Sequence, residues 1–161
     1  MATPTNLPAA ATVGQLYTAA NVNDLRGAFR VLQVFVNVLD TQQTSTTTTF
    51  ANITDGLITI TPQAASNKIL IISTNAFLAS VNAADGGLRI LRDATNIYSE
   101  FVAVLRGDSG GNFTSIVLDS PNTTSAINYQ LQFARSAGST GTLYHSIAST
   151  AGAFLVAEIS A

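Results

Sequence analysis

Gly107-Asp108-Ser109-Gly110-Gly111 has the residue types of a catalytic loop, a serine hydroxyl beside a carboxylate on a glycine-flanked turn. Acyl transfer by serine needs a histidine base within hydrogen-bond reach and a carboxylate to orient that base. The only histidine is His145, which follows the serine in Leu143-Tyr144-His145-Ser146-Ile147, a strand pattern. Gly, Asp and Ser are also what any flexible loop uses, and the loop reading is the one carried forward. His145 has the chemistry to ligate a metal or to meet its copies on a symmetry axis. With one histidine per chain and no neighbouring carboxylate motif, ordinary packing is expected.

The carboxylates give a similar answer. Asp85, Asp93, Glu100, Asp108 and Asp119 lie in or beside turn signals. Two carboxylates about 5–9 Å apart can hydrolyse glycosides, but turn chemistry and solvation explain this placement. Glu158 sits in an apolar strand pattern and needs a partner, for which Arg89, Arg92, Arg106 and Arg135 are candidates. Gly86-Gly87 and Gly110-Gly111 lack a phosphate-binding pattern. Tyr17, Tyr98, Tyr129 and Tyr144 could stack on a sugar. With 7% aromatics and no Trp, packing is the expectation for each. No catalytic, cofactor-binding or metal residue is assigned, and no cofactor is expected.

Composition narrows the classes further. The 161 residues suit one domain that can bury a core without disulfides, and there is no cysteine. Net charge is -2 and the 7 Lys and Arg form no cluster, so a nucleic-acid surface is not expected. Charged residues are 10% of the chain against about 25% in typical domains, while apolar residues reach 47%. Such a chain coats itself with Ser, Thr and Asn, or buries surface against partners as obligate interfaces do. The apolar run from Val31 to Leu39 is too short to span a membrane. The first basic residue is Arg26, so no signal peptide is expected.

The elements that must position these residues are mostly strands. Residues 1–17, with Pro4, Pro8 and Gly14, read as an extended arm. Thr18 can cap a short helix to about residue 30, with Val22, Leu25, Phe29 and Leu32 on one face. From Val31 the β-branched residues favour a strand to about residue 40, although a helix continuing to Leu39 is the alternative. Leu57 to Thr61 alternates and stops at Pro62; Lys68 to Ile72 is a dense apolar run that wants both faces covered. Further strands are expected at 73–81, 88–91, 96–98, 101–105, 113–118, 126–133, 141–146 and 153–159. Thr41 to Phe50 reads as a solvent-facing edge. The sum is all-β: an antiparallel, jelly-roll-like β-sandwich of about nine strands over residues 31–161, preceded by the arm and helix of residues 1–30.

The stretch "TDGLITITPQAASNKILII" resembles a module of tail fibres and other surface proteins of tailed bacteriophages. Val31-Leu32-Gln33-Val34 resembles its opening strand, and Gly87 to Asp93 its middle hairpin. Tyr129 to Phe133 and Ala157-Glu158-Ile159 resemble its last strands. "TAANVNDLR" resembles attachment segments near the start of phage tail proteins. The resemblance implies a β-sandwich, usually trimeric, in a virion, and does not say which part of the virion. With the charge-poor composition and the arm-helix start, the expectation is a non-enzymatic homotrimer, assembled in the host cytoplasm, serving as a small tail fibre or fibre tip. Its N-terminus would dock on baseplate, tail or capsid proteins, and a host glycan or protein would be its target. Capsid decoration is the alternative, and a small hydrolase a more distant one. The Gly-Asp-Ser-Gly-Gly string also occurs around the nucleophile of chymotrypsin-like proteases, but there the histidine precedes the serine in an Ala-Ala-His-Cys setting that is missing here.

Overall fold

The computed structural model describes residues 30–80, 84–105, 110–146 and 151–160. Among the described residues there are ten strands and no helix. The first five are β1 (Val31–Leu39), β2 (Gln43–Ser45), β3 (Ala51–Ile60), β4 (Lys68–Ala79) and β5 (Ala84–Arg92). The rest are β6 (Thr95–Leu105), β7 (Gly110–Asp119), β8 (Ile127–Arg135), β9 (Leu143–His145) and β10 (Gly152–Ile159). Val22, Leu25 and Phe29 of the expected helix lie outside the described residues. Leu32, placed on the same helical face from sequence, is corrected: it belongs to β1, where the register with β10 shifts between Val31 and Gln33. The strand expected for residues 31–39 is therefore present, and the alternative of a helix continuing to Leu39 is not. The β-branched side chains pack on a pleated surface, and β10 supplies the ladder partners.

All pairings are antiparallel. In the six-stranded sheet, β4 pairs β7 along one side, from Ile69 opposite Asp119 to Leu78 opposite Gly110. Along its other side β4 pairs β10 first and β9 later. β1 flanks β10 and β2 flanks β9, so this sheet has four rows, two of them broken. The second sheet has the order β3-β8-β5-β6. Most connections cross between the two sheets, while β5 and β6 form a hairpin within the second, and the whole is a β-sandwich. Ile69, Ile71, Phe154 and Val156 of one sheet and Ile58, Leu88, Ile90, Leu131 and Phe133 of the other form the shared core.

Several boundaries differ from the sequence reading. The expected strands at 68–72 and 73–81 are one continuous strand, β4. Ser73 and Asn75 look like turn formers, yet both are fully buried and hydrogen-bonded inside the sandwich. Gly86 and Gly87, in the gap between the strands expected at 73–81 and 88–91, lie in β5. A Cβ on Gly87 would stand 2.8 Å from the Phe101 ring, which lies across the strand. The Arg92-Asp93-Ala94-Thr95 hairpin is as expected, with Asp93 at a φ of 51°.

β1 inverts the usual polarity of a half-buried strand. Val34, Val36 and Val38 point outward, while Gln33 and Asn37 point in. The two amides close the gap between β1 and β3, each the edge of its sheet. Gln33 Nε2 donates to Thr61 O at 2.8 Å, and Asn37 Nδ2 donates to Leu57 O at 2.9 Å and Asp55 O at 3.0 Å. These carbonyls would otherwise face an unpaired edge.

Gly152 marks where β10 leaves β4. A Cβ there would stand 2.1 Å from Thr74 O, a backbone atom that cannot swing aside. Gly152→Ala is expected to lower stability by about 3 kcal/mol, read as an earlier urea midpoint at fixed protein concentration.

Candidate functional site

Among the described residues, those singled out for chemistry are engaged structurally. Gly107, Asp108 and Ser109 lie outside the described residues, while Gly110 and Gly111 open β7. His145 has no exposed surface; its ring lies 5.5 Å from those of Phe77 and Phe133. Its Nε2 pairs with Asn75 Oδ1 at 3.1 Å, and a chain of hydrogen bonds runs on from Asn75 Nδ2 to Ser73 and from Ser73 to Ser115. Burial lowers the imidazole pKa from 6.5 to about 4, against the opposing pull of the Asp55 carboxylate. This neutral histidine is a packing residue inside the sandwich, not an axial one. Among the described residues no cluster of three metal-ligating side chains occurs.

Asp119 ties the sheets together at one end. It accepts from Arg92 Nη1 at 2.9 and 3.1 Å and from Tyr129 Oη at 2.7 Å. Burial, then the Asp119 carboxylate, pushes the Tyr129 phenol far up, so that it stays a donor. Asp93 Oδ1 accepts from the Asn128 amide at 3.0 Å, and Glu100 accepts from Tyr98 Oη.

Glu158 is fully buried, but among the described residues Arg89, Arg92 and Arg135 are not its partners, and Arg106 lies outside the described residues. Instead its carboxylate accepts from Asn67 Nδ2 at 2.5 Å, Gln33 Nε2 at 2.6 Å and the Gln63 amide at 2.7 Å. Burial alone would raise its pKa; the hydrogen bonds outweigh burial and hold the carboxyl below its ordinary 4.5. A buried anion can be satisfied by neutral donors when several converge. Here the turn at residues 63–67, which sequence marks only as small and polar, supplies two of them.

What stands out instead is a surface. On the outer side of the six-stranded sheet the register aligns Val36, Leu155, Ile72 and Ile116 in one line across β1, β10, β4 and β7. The adjacent lines are Val34, Ala157, Leu70 and Leu118 on one side and Val38, Ala153, Thr74 and Thr114 on the other. None of these twelve residues is charged. Ile116 is 67% exposed, Leu118 61% and Val36 55%. Scattered apolar residues are ordinary on a surface; a contiguous patch marks an interaction site.

The outer side of the other sheet is different. Arg89 donates to Gln132, Gln132 Nε2 donates to Asn52 Oδ1 at 2.6 Å, and Thr59 donates to Asn128 at 2.6 Å. The Arg89 guanidinium lies 4.4 Å from the centre of the Phe50 ring, which leans on Phe101. One face of the sandwich is thus mainly apolar and uncharged, while the other combines a hydrogen-bonded polar net with the exposed Leu57 and Phe101.

No protein-family model and no curated protein matches the chain. Among solved structures it is similar to a mutant VP2 protein of infectious bursal disease virus in derived T=1 particles. The identity is 15% and the TM-score 0.47, over 82% of this chain and 38% of that one. It is similar also to the Gx strain of that virus, at 16% identity and a TM-score of 0.44, over 83% of this chain and 37% of that one. The chain therefore spans less than two fifths of either.

Two pH windows follow from these groups. His145 binds its proton more readily unfolded than folded, so stability is complete above pH 6.5 and falls as pH drops through about 4. The expected loss is about 3 kcal/mol. Glu158, depressed in the folded state, adds a second loss that begins only below 4.5. Urea midpoints from pH 7 to 3 should therefore decline in two stages, with His145→Gln flattening the first and Glu158→Gln the second.

Proposed function

We propose that this chain is a non-enzymatic structural protein of a tailed-phage virion, a small homotrimeric tail fibre or fibre-tip module docked to the particle through its N-terminus. The observation that carries the reading is the uncharged apolar face of the six-stranded sheet, built of lines that cross four strands. A sandwich that shows this much hydrocarbon on one side is made to be held by neighbours. The phage attribution rests on the ordered resemblance of the motifs from Val31 to Ile159. The buried, neutral His145 and the engaged Asp119, Asp93, Glu100 and Glu158 favour a non-enzymatic role. The polar net of Arg89, Gln132 and Asn52 is the side left to face a host glycan or protein.

Sedimentation tests the assembly. The protein is expected to be trimeric at micromolar concentration. Ile72→Asp combined with Ile116→Asp should yield monomers with unchanged circular dichroism, while Thr59→Asp on the opposite face leaves the trimer intact. A wild-type monomer would overturn the reading. Particle mass spectrometry should count few copies per virion, with adsorption lost on deletion; hundreds of copies would mark capsid decoration instead. Ser109→Ala should leave adsorption unchanged.

A further inference from the structure

We infer that the apolar face of the six-stranded sheet is covered by residues 18–29 of a neighbouring copy, so that protomers are joined by exchanged N-terminal segments. The inference rests on the homotrimeric reading above and names what holds that trimer together.

The face and the segment match in chemistry and size. The central line Val36, Leu155, Ile72 and Ile116 crosses four strands, about 14 Å at the usual interstrand spacing. Along the strands, Val34 to Val38 covers about 13 Å. As a helix, residues 18–29 span about 18 Å, and Val22, Leu25 and Phe29 repeat at spacings that form one face. Asp24 falls on the opposite side of such a helix. A helix this short is marginal alone in water and needs an apolar surface to lie on. The chain supplies that surface, and it carries no charge to oppose docking.

The point where the segment joins the sandwich decides whose face it covers. Arg30 is already tied into the ladder: its amide donates to Ser160 Oγ at 3.0 Å, and the Ser160 amide donates to Arg30 O at 2.9 Å. A helix that folds back on the sheet it enters needs a connection of about 2–6 residues. Phe29, the last residue of the apolar face, immediately precedes Arg30, which leaves none. Keeping Val22, Leu25 and Phe29 together therefore sends the helix off the edge of its own sheet and onto another. Each copy then gives one segment and receives one, a head-to-tail arrangement that closes into a ring.

The chain has no cysteine, so introduced thiols are the only ones present. Chains carrying Leu25→Cys alone and Ile72→Cys alone are mixed, dissociated, reassembled and treated with a short bismaleimide. A covalent heterodimer is expected, and the double variant in one chain should give products up to the trimer. Thr59→Cys, on the opposite face, should replace Ile72→Cys without product. Val36→Cys serves as a second acceptor, and circular dichroism checks that each variant folds. A double variant linked only within single chains places the segment on its own sheet and overturns the inference. A trimer that yields no link to either acceptor overturns it too, while leaving the proposed function standing. A monomer without links removes both.

Discussion

Ile69 and Ile71 point from β4 into the sandwich, Leu70 and Ile72 point out of it, and both pairs are hydrocarbon. A strand with two apolar faces must be covered twice. The second sheet covers one side with Leu88, Ile90, Leu131 and Phe133. The flanking strands extend the other side into a patch rather than breaking it with charge. That requirement connects the fold to the proposed role. The central strand that holds the core together is the same strand that leaves surface for a partner.

The polar residues at the interior do different work. Gln33 and Asn37 spend their amides on the edge carbonyls of β3, and Glu158 gathers the turn at residues 63–67 onto the last strand. His145, Asn75, Ser73 and Ser115 run as a hydrogen-bonded chain through the inner side of the six-stranded sheet. Such groups contribute little net stability when satisfied and cost much when a partner is lost, so they favour one register over its alternatives. In β1 they act together with Leu39, which is fully buried in the core, to fix which side faces inward.

Strand positions were largely legible from alternation and turn residues. The stop at Pro62, the Asp93-Ala94 hairpin and the strand start at Lys68 all follow local rules. The misreadings share one cause. The sequence divides Lys68–Ile72 from the strand beginning at Ser73 and leaves Gly86-Gly87 outside any strand, because small and polar types weaken the apolar pattern. Pairing with β7 and β10 makes the first two one strand, and β6 and β8 hold the glycines in β5. Leu32 continues a helical spacing in sequence, but the ladder to β10 makes it part of β1. The face that carries the proposed function was only half visible. Its members come from four strands spread between Val34 and Ala157, and no sequence pattern shows that Val36, Leu155, Ile72 and Ile116 share a line.

By itself the sequence determined that the described part of this chain is built of strands and that the chain is poor in charge, because composition and period-2 alternation are local properties. Only the tertiary structure decided which way each strand faces. Register and partner choice are non-local, and a slip of one residue exchanges the two sides of a strand. That choice turned the valines of β1 outward and its amides inward. It also gave Glu158 neutral donors in place of arginine, and placed the exposed hydrocarbon of four distant segments on a single side of the molecule.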